Sequence, residues 1–170
     1  MHRHYLKASI EAAAVDAQLA VAEFDDARSW LDRARHGPLD PFAVEVWVFD
    51  EDLRQVLLVR HRWRGWVPPG GSVEVSELPR DAARRELVEE TGVRAQLLVS
   101  PAAVSVRSYH PDWSPTLGLS YAAVTEISTL LTPEEDQPVA WVALDQGWKS
   151  VFSEDVLGSV TTPRSFKTVT

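Results

Sequence analysis

Three glutamates, Glu86, Glu89 and Glu90, fall within five residues of one another between Pro79 and Gly92. Proline suits the first turn of a helix and glycine its end, so the spacing predicts a helix over 79–91. At about 100° per residue the three acids occupy one arc of roughly 100°, which Ala82 and Ala83 share one turn earlier. A face with such small neighbours can approach a sheet closely. Like charges at i,i+4 cost about 0.2–0.5 kcal/mol per exposed pair. Burial raises that cost, and the C-terminal end of a helix favours cations instead. A solvated face laced by Asp81–Arg85 and Glu90–Arg94 pairs at i,i+4 relieves part of the conflict. It leaves Glu86 against Glu90. A magnesium ion relieves that pair as well, because a hard cation takes a few carboxylate oxygens and completes its shell with water and phosphate.

The rest of the chain bounds what such a site serves. Its 170 residues suit one domain with a small appendage, and 45% hydrophobic content is ordinary for a globular protein. No apolar run approaches the roughly 20 residues that span a bilayer, so no membrane is expected. Arg3 and Lys7 are followed by Glu11, Asp16 and Glu23, which does not read as a signal peptide. The absence of cysteine excludes disulfides, thiol chemistry and Cys-ligated zinc, and suits a cytoplasmic location. A net charge of −8 argues against a nucleic-acid polymer as partner. An acidic chain acting on an anionic substrate needs a divalent cation or a local basic patch. The stretch Arg60-His61-Arg62-Trp63-Arg64 is the densest such patch.

Along the chain, Ile10, Ala14, Ala17, Val21, Phe24 and Leu31 follow a helical 4-3 spacing that Arg28 interrupts. One helical segment is expected over 8–36, closed by Gly37-Pro38 and packed on the main domain. Val44, Val46 and Val48 alternate with Glu45 and Trp47, then Asp50-Glu51-Asp52 turns the chain into a second apolar run at 55–59. A loop covers 61–77, strands follow the 79–91 helix at 93–108, 117–127 and 139–144, and a short helix is expected at 148–158. The mixed order implies an α+β domain.

On these residues the chain resembles the Nudix hydrolases. Gly71, five residues, Glu77, seven residues, then Arg85-Glu86-Leu87-x-Glu89-Glu90-x-Gly92-Val93 matches that family's signature across 23 residues. Trp66-Val-Pro-Pro-Gly70-Gly71 is similar to the segment that precedes it. The resemblance implies an α/β/α sandwich around a mixed sheet. It covers the domain at 41–158; outside it, the residue pattern leaves an N-terminal helical extension at 1–40 and a polar tail at 159–170. It further implies attack of water on a nucleoside diphosphate linked to another moiety, such as a nucleoside triphosphate or dinucleoside polyphosphate. Mg²⁺ would serve, with Mn²⁺ able to substitute. Glu86, Glu89, Glu90 and the Gly70 carbonyl would be metal ligands, one glutamate acting as base. Arg85 would orient a glutamate, and Glu77 would brace the loop. A further acid is expected from Glu134, Glu135 or Asp136, with Glu135 favoured, although Ala140 precedes Trp141 where some members carry glutamate. Arg60, Arg62, Arg64, Gly71, Trp63 and Tyr109 are the expected substrate contacts. Tyr109 is similar to a residue of members that cleave dinucleoside polyphosphates. The competing reading is a catalytically silent domain that senses a nucleotide. A homodimer through the N-terminal helix fits either.

Overall fold

The alternation at Val44, Val46 and Val48 sends these side chains to one face of a strand and Trp47 and Phe49 to the other, so each face starts a core of its own. The computed structural model describes residues 2–108, 112 and 114–146. Its strands are β1 (Ala22–Glu23), β2 (Ala43–Asp50), β3 (Gln55–His61), β4 (Gly65–Val67), β5 (Gly70–Ser72), β6 (Ala103–Arg107), β7 (Thr116–Thr125) and β8 (Val139–Ala143). Its helices are α1 (His2–Leu19), α2 (Ala27–Ala34) and α3 (Pro79–Thr91). The strands form a mixed sheet in the order β1-β6-β7-β2-β3-β4, with β5 joined to β2 and β8 to β3. The α+β class holds.

The centre is β7, eight of whose ten residues are buried. It runs parallel to β2 on one side and antiparallel to β6 on the other. On one face, Val44, Val46, Val48, Leu119 and Tyr121 meet Ala82, Ala83 and Leu87 of α3 and Ala13 and Ala17 of α1. The opposite face gathers Trp47, Phe49, Val56, Leu58 and Ala122. The helix expected at 148–158 lies outside the described residues.

The single helix expected over 8–36 is two helices with a strand between them. Arg28, which interrupts the apolar stripe, causes the break. Its guanidinium donates to the carbonyls of Ala17 and Ala20 and pairs with Glu23, which closes the end of α1. Asp25 and Asp26 then take positive φ values of 61° and 50°. Between the helices, the backbone N–H groups of Val21 and Ala22 donate to Pro101 and Ala102, and β1 adds a parallel edge beside β6. Two elements in the 61–77 loop also went unread. β4 and β5 have three residues each, too few for a period, and exist because β3 and β2 offer partners. The strand expected from 93 begins only at Ala103; before it, Leu97 makes one isolated bridge to Ala123. Among the described residues no helix is long and apolar enough to cross a membrane.

Candidate active site

α3 starts without a side-chain cap, with Pro79 in its first turn, and ends at Gly92, whose φ of 75° is left-handed. Ala82, Ala83 and Leu87 are fully buried against the sheet, which fixes the rotation of the helix and turns Glu86 and Glu90 toward β5, with Glu89 more exposed beside them. Arg85 organises the acids. Its Nε and Nη2 fork onto the two oxygens of Glu77 at 2.9 and 2.8 Å, and Nη1 reaches Glu86 at 2.7 Å and Glu89 at 3.1 Å. Nη2 also donates to the Ser72 carbonyl at 3.0 Å, tying the helix to the glycine strand. Glu77 in turn accepts the Glu74 backbone N–H, so it braces the loop as well as the arginine. These bonds replace the expected Asp81–Arg85 pair; Asp81 meets Arg84 on the exposed side instead. Arg85 lies on the inner side of α3, where Glu77 offers a full fork.

Glu90 is buried, and its two oxygens accept the Gly70 N–H and the Gln137 side-chain amide, each at 2.7 Å. These donors stand where a pairing with Arg94 was expected. Burial pushes the Glu90 carboxyl up to about 7, against the help of those two hydrogen bonds and with Glu86 and Glu134 adding like charge. Burial also raises Glu86, in spite of Arg85, and the charges of Glu89 and Glu77 add to the effect. Glu77 moves the opposite way because Arg85 bonds it directly. A Cβ on Gly71 would lie 2.3 Å from Glu86 Oε1, so the bare glycine backbone is what lets that carboxylate close on the strand.

Among the described residues no three acids enclose a metal position by themselves. The donor chemistry nonetheless fits a hard divalent cation: carboxylates on one helix face, of which Glu86 and Glu90 have their pKa raised by burial and, less, by neighbouring acids.

Beside this cluster opens a cavity of about 740 Å³ that shares the Gly70–Ser72 segment with it. Trp63, Arg64 and Gly71 line the cavity, as do His61 and Glu45. The basic stretch is folded about His61, whose Nδ1 accepts the backbone N–H groups of Trp63 and Arg64. Burial, with Arg64 and Arg62 behind it, depresses the His61 pKa and favours the neutral ring that can accept. Arg62 lies 5.5 Å over the Trp63 ring, and Arg60 is exposed on β3 opposite Trp66. Glu135 is exposed in the turn before β8, and Glu134 is the loop acid whose charge acts on Glu90. Tyr109 lies outside the described residues. Sequence reasoning missed Gln137 and Glu45. The first is a neutral side chain 47 residues from Glu90, and the second is an acid in a strand read only for its apolar alternation.

The NUDIX domain family model matches residues 39–156. The chain belongs to the Nudix family. Nudix proteins generally use a divalent metal. Among curated relatives, an RNA pyrophosphohydrolase of Bartonella henselae is 50% identical over 44 residues, 26% of this chain and 24% of that one. A CMP-5'-(N-acetyl-N-hydroxy-3-aminopropyl)phosphonate hydrolase of Streptomyces rubellomurinus is 34% identical over 116 residues, 62% of this chain and 53% of that one. The matched segments thus span at most about half of these relatives' length. The C. elegans Ap4A hydrolase, in its binary complex, shares the Nudix fold with a TM-score of 0.63 at 16% identity, covering 76% of this chain and 99% of that one.

Proposed function

We propose that this Nudix protein is a Mg²⁺-dependent hydrolase of the diphosphate linkage in nucleoside diphosphate derivatives, with Mn²⁺ able to substitute. The observation that carries the reading is the packing of Glu90 and Glu86 against the Gly70–Gly71 backbone, with one guanidinium, Arg85, joining Glu86 to the exposed Glu89. Glu86, Glu89, Glu90 and the Gly70 carbonyl would hold the metal. Bound there, it would polarise the phosphoryl group and lower the pKa of a coordinated water. Arg85 keeps Glu86 and Glu89 on one side of the helix, and the Gly70 N–H with Gln137 keeps Glu90 aimed at the strand. Arg64 and Trp63 line the adjoining cavity and are the substrate contacts this reading favours, with Arg60, Arg62 and Tyr109 as further candidates. Glu135 remains the proposed loop acid, with Glu134 its neighbour. The names of the relatives agree with cleavage of nucleotide phosphoanhydrides or phosphonate conjugates by proteins of this type.

The test is hydrolysis of a panel of nucleoside triphosphates, dinucleoside polyphosphates, ADP-ribose and nucleotide sugars, with products resolved, in Mg²⁺, Mn²⁺ and chelator. Glu89→Gln and Glu90→Gln should each lower kcat by about 100-fold or more while melting cooperatively. Nucleotide binding with no turnover of any substrate would overturn the hydrolase in favour of a sensing domain.

A further inference from the structure

Glu45 lies on β2 with its Cα opposite Gly70 on one side and Ser120 on the other, and it forms part of the cavity wall. One carboxylate oxygen, Oε1, accepts the Ser120 hydroxyl at 2.5 Å and the Trp47 indole N–H at 3.1 Å. Those two donors use both lone pairs of Oε1 and fix the plane of the carboxylate. Among the described residues none gives Glu45 a Lys or Arg partner, and none donates a hydrogen bond to Oε2. The cavity therefore holds a rigid acceptor, anchored from behind, directly opposite the Gly70 whose N–H bonds Glu90 of the carboxylate site. At about 740 Å³ it is of the size that encloses a nucleoside, and Trp63 and Phe42 supply apolar ring surface in its wall.

We propose that Glu45 is a base-selecting residue and that the cavity takes guanine; this rests on the reading of the protein as acting on nucleotides. A carboxylate only accepts. Guanine sets two donors side by side, the N1–H and the 2-amino group, and can turn both toward one acceptor. Adenine and cytosine place a ring-nitrogen acceptor next to their amino group, and uracil flanks its N3–H with two carbonyl oxygens. Each of those edges brings a lone pair against the carboxylate. Glu45→Gln inverts the preference by a definite route. The Trp47 indole can only donate, so it keeps the amide oxygen where Oε1 stood and leaves the amide NH₂ facing the cavity. A donor then meets the donors of guanine.

The measurement is calorimetric binding of GMP, IMP, AMP, CMP and UMP to the intact chain with magnesium present. These monophosphates contain no anhydride to hydrolyse. GMP should bind about tenfold or more tightly than AMP, CMP or UMP, as a discriminating pair of hydrogen bonds allows. IMP, which lacks the 2-amino group, should fall between. Glu45→Gln should weaken GMP by about tenfold and leave UMP no weaker. Equal affinity across the five, no affinity for any, or unchanged GMP binding by Glu45→Gln would overturn the proposal. The IMP comparison needs no variant, so it stands even if Glu45→Gln folds badly. Selective GMP binding without hydrolysis of any guanosine nucleotide would overturn the hydrolase and keep the subsite. Turnover without base discrimination would do the reverse.

Discussion

A methyl group added at Gly70 would lie 2.1 Å from the Val44 carbonyl oxygen and 2.7 Å from Glu45 Cα, both of them backbone. At Gly71 the nearest atoms are the far end of a side chain, the Glu86 carboxylate at 2.3–2.7 Å. Backbone in a paired strand has nowhere to go, whereas a carboxylate can rotate away. Gly70→Ala should therefore cost about 1–3 kcal/mol or more, read as a drop in melting temperature. Gly71→Ala should hold its stability to within about 1 kcal/mol and lose activity, because Glu86 is displaced. A shift of about 1 Å in a positioned group costs up to about 100-fold in rate. Chemical denaturation beside a kcat measurement separates the two; equal stability losses would contradict the assignment of Gly71 to the site. The glutamates and this glycine pair were legible because helical period and motif spacing are local properties of sequence. Gln137 was not, since its hydrogen bond to Glu90 depends on where the chain returns after β7.

At the scale of elements, α1 is fastened by a buried polar junction rather than by its Ala-rich stripe. Asp16 accepts the Tyr121 hydroxyl at 2.6 Å, and its other oxygen takes Arg80 of α3 at 2.7 Å. Arg80 also reaches the carbonyls of Leu98 and Val99 and stacks 5.1 Å over the Tyr121 ring. Burial and the Asp16 carboxylate push the Tyr121 pKa up, so the phenol stays a donor. One aspartate thus joins the N-terminal helix, the central strand and the helix that carries the glutamates. Asp16→Ala should destabilise the chain by about 3–5 kcal/mol, since it strands a buried hydroxyl and part of a guanidinium. Asp16→Asn should cost less, because it retains one acceptor. A loss under about 1 kcal/mol for the alanine variant, measured by denaturant titration, would show that α1 is held by something else. The sequence pattern placed a helix here and packed it on the domain, but not this fastening. Asp16 reads as one more charge that breaks an apolar run, and β1, two residues long, has no period to read. Long elements with a buried face, β2, β3, β7 and α3, were legible because burial imposes their periodicity.

Across the whole molecule, the carboxylate cluster ties stability to pH, and the sign can be derived from the site. Glu90 has its pKa raised by burial to about 7, against an ordinary value of 4.5, so between those values the folded chain holds a proton that the unfolded chain has released. Without metal, stability should fall as pH climbs from about 4.5 to 7, by up to about 3 kcal/mol, and then level off. Glu86, raised by the same cause, acts in the same direction. Glu77, lowered by its bonds to Arg85, opposes it at the acid end, where its stabilisation is lost as the carboxyl protonates. A divalent cation binds the ionised carboxylates, so its stabilisation should grow over the same rise in pH; at 100 times its dissociation constant it adds about 2.7 kcal/mol. Melting curves from pH 4.5 to 8 with chelator and with Mg²⁺ should diverge with rising pH. In Glu90→Gln the chelator curve should lose most of its downward slope, and the gap to the Mg²⁺ curve should shrink. Parallel curves for the unaltered chain would mean that the three glutamates bear their mutual repulsion without a cation, and the hydrolytic reading would then lose its physical basis.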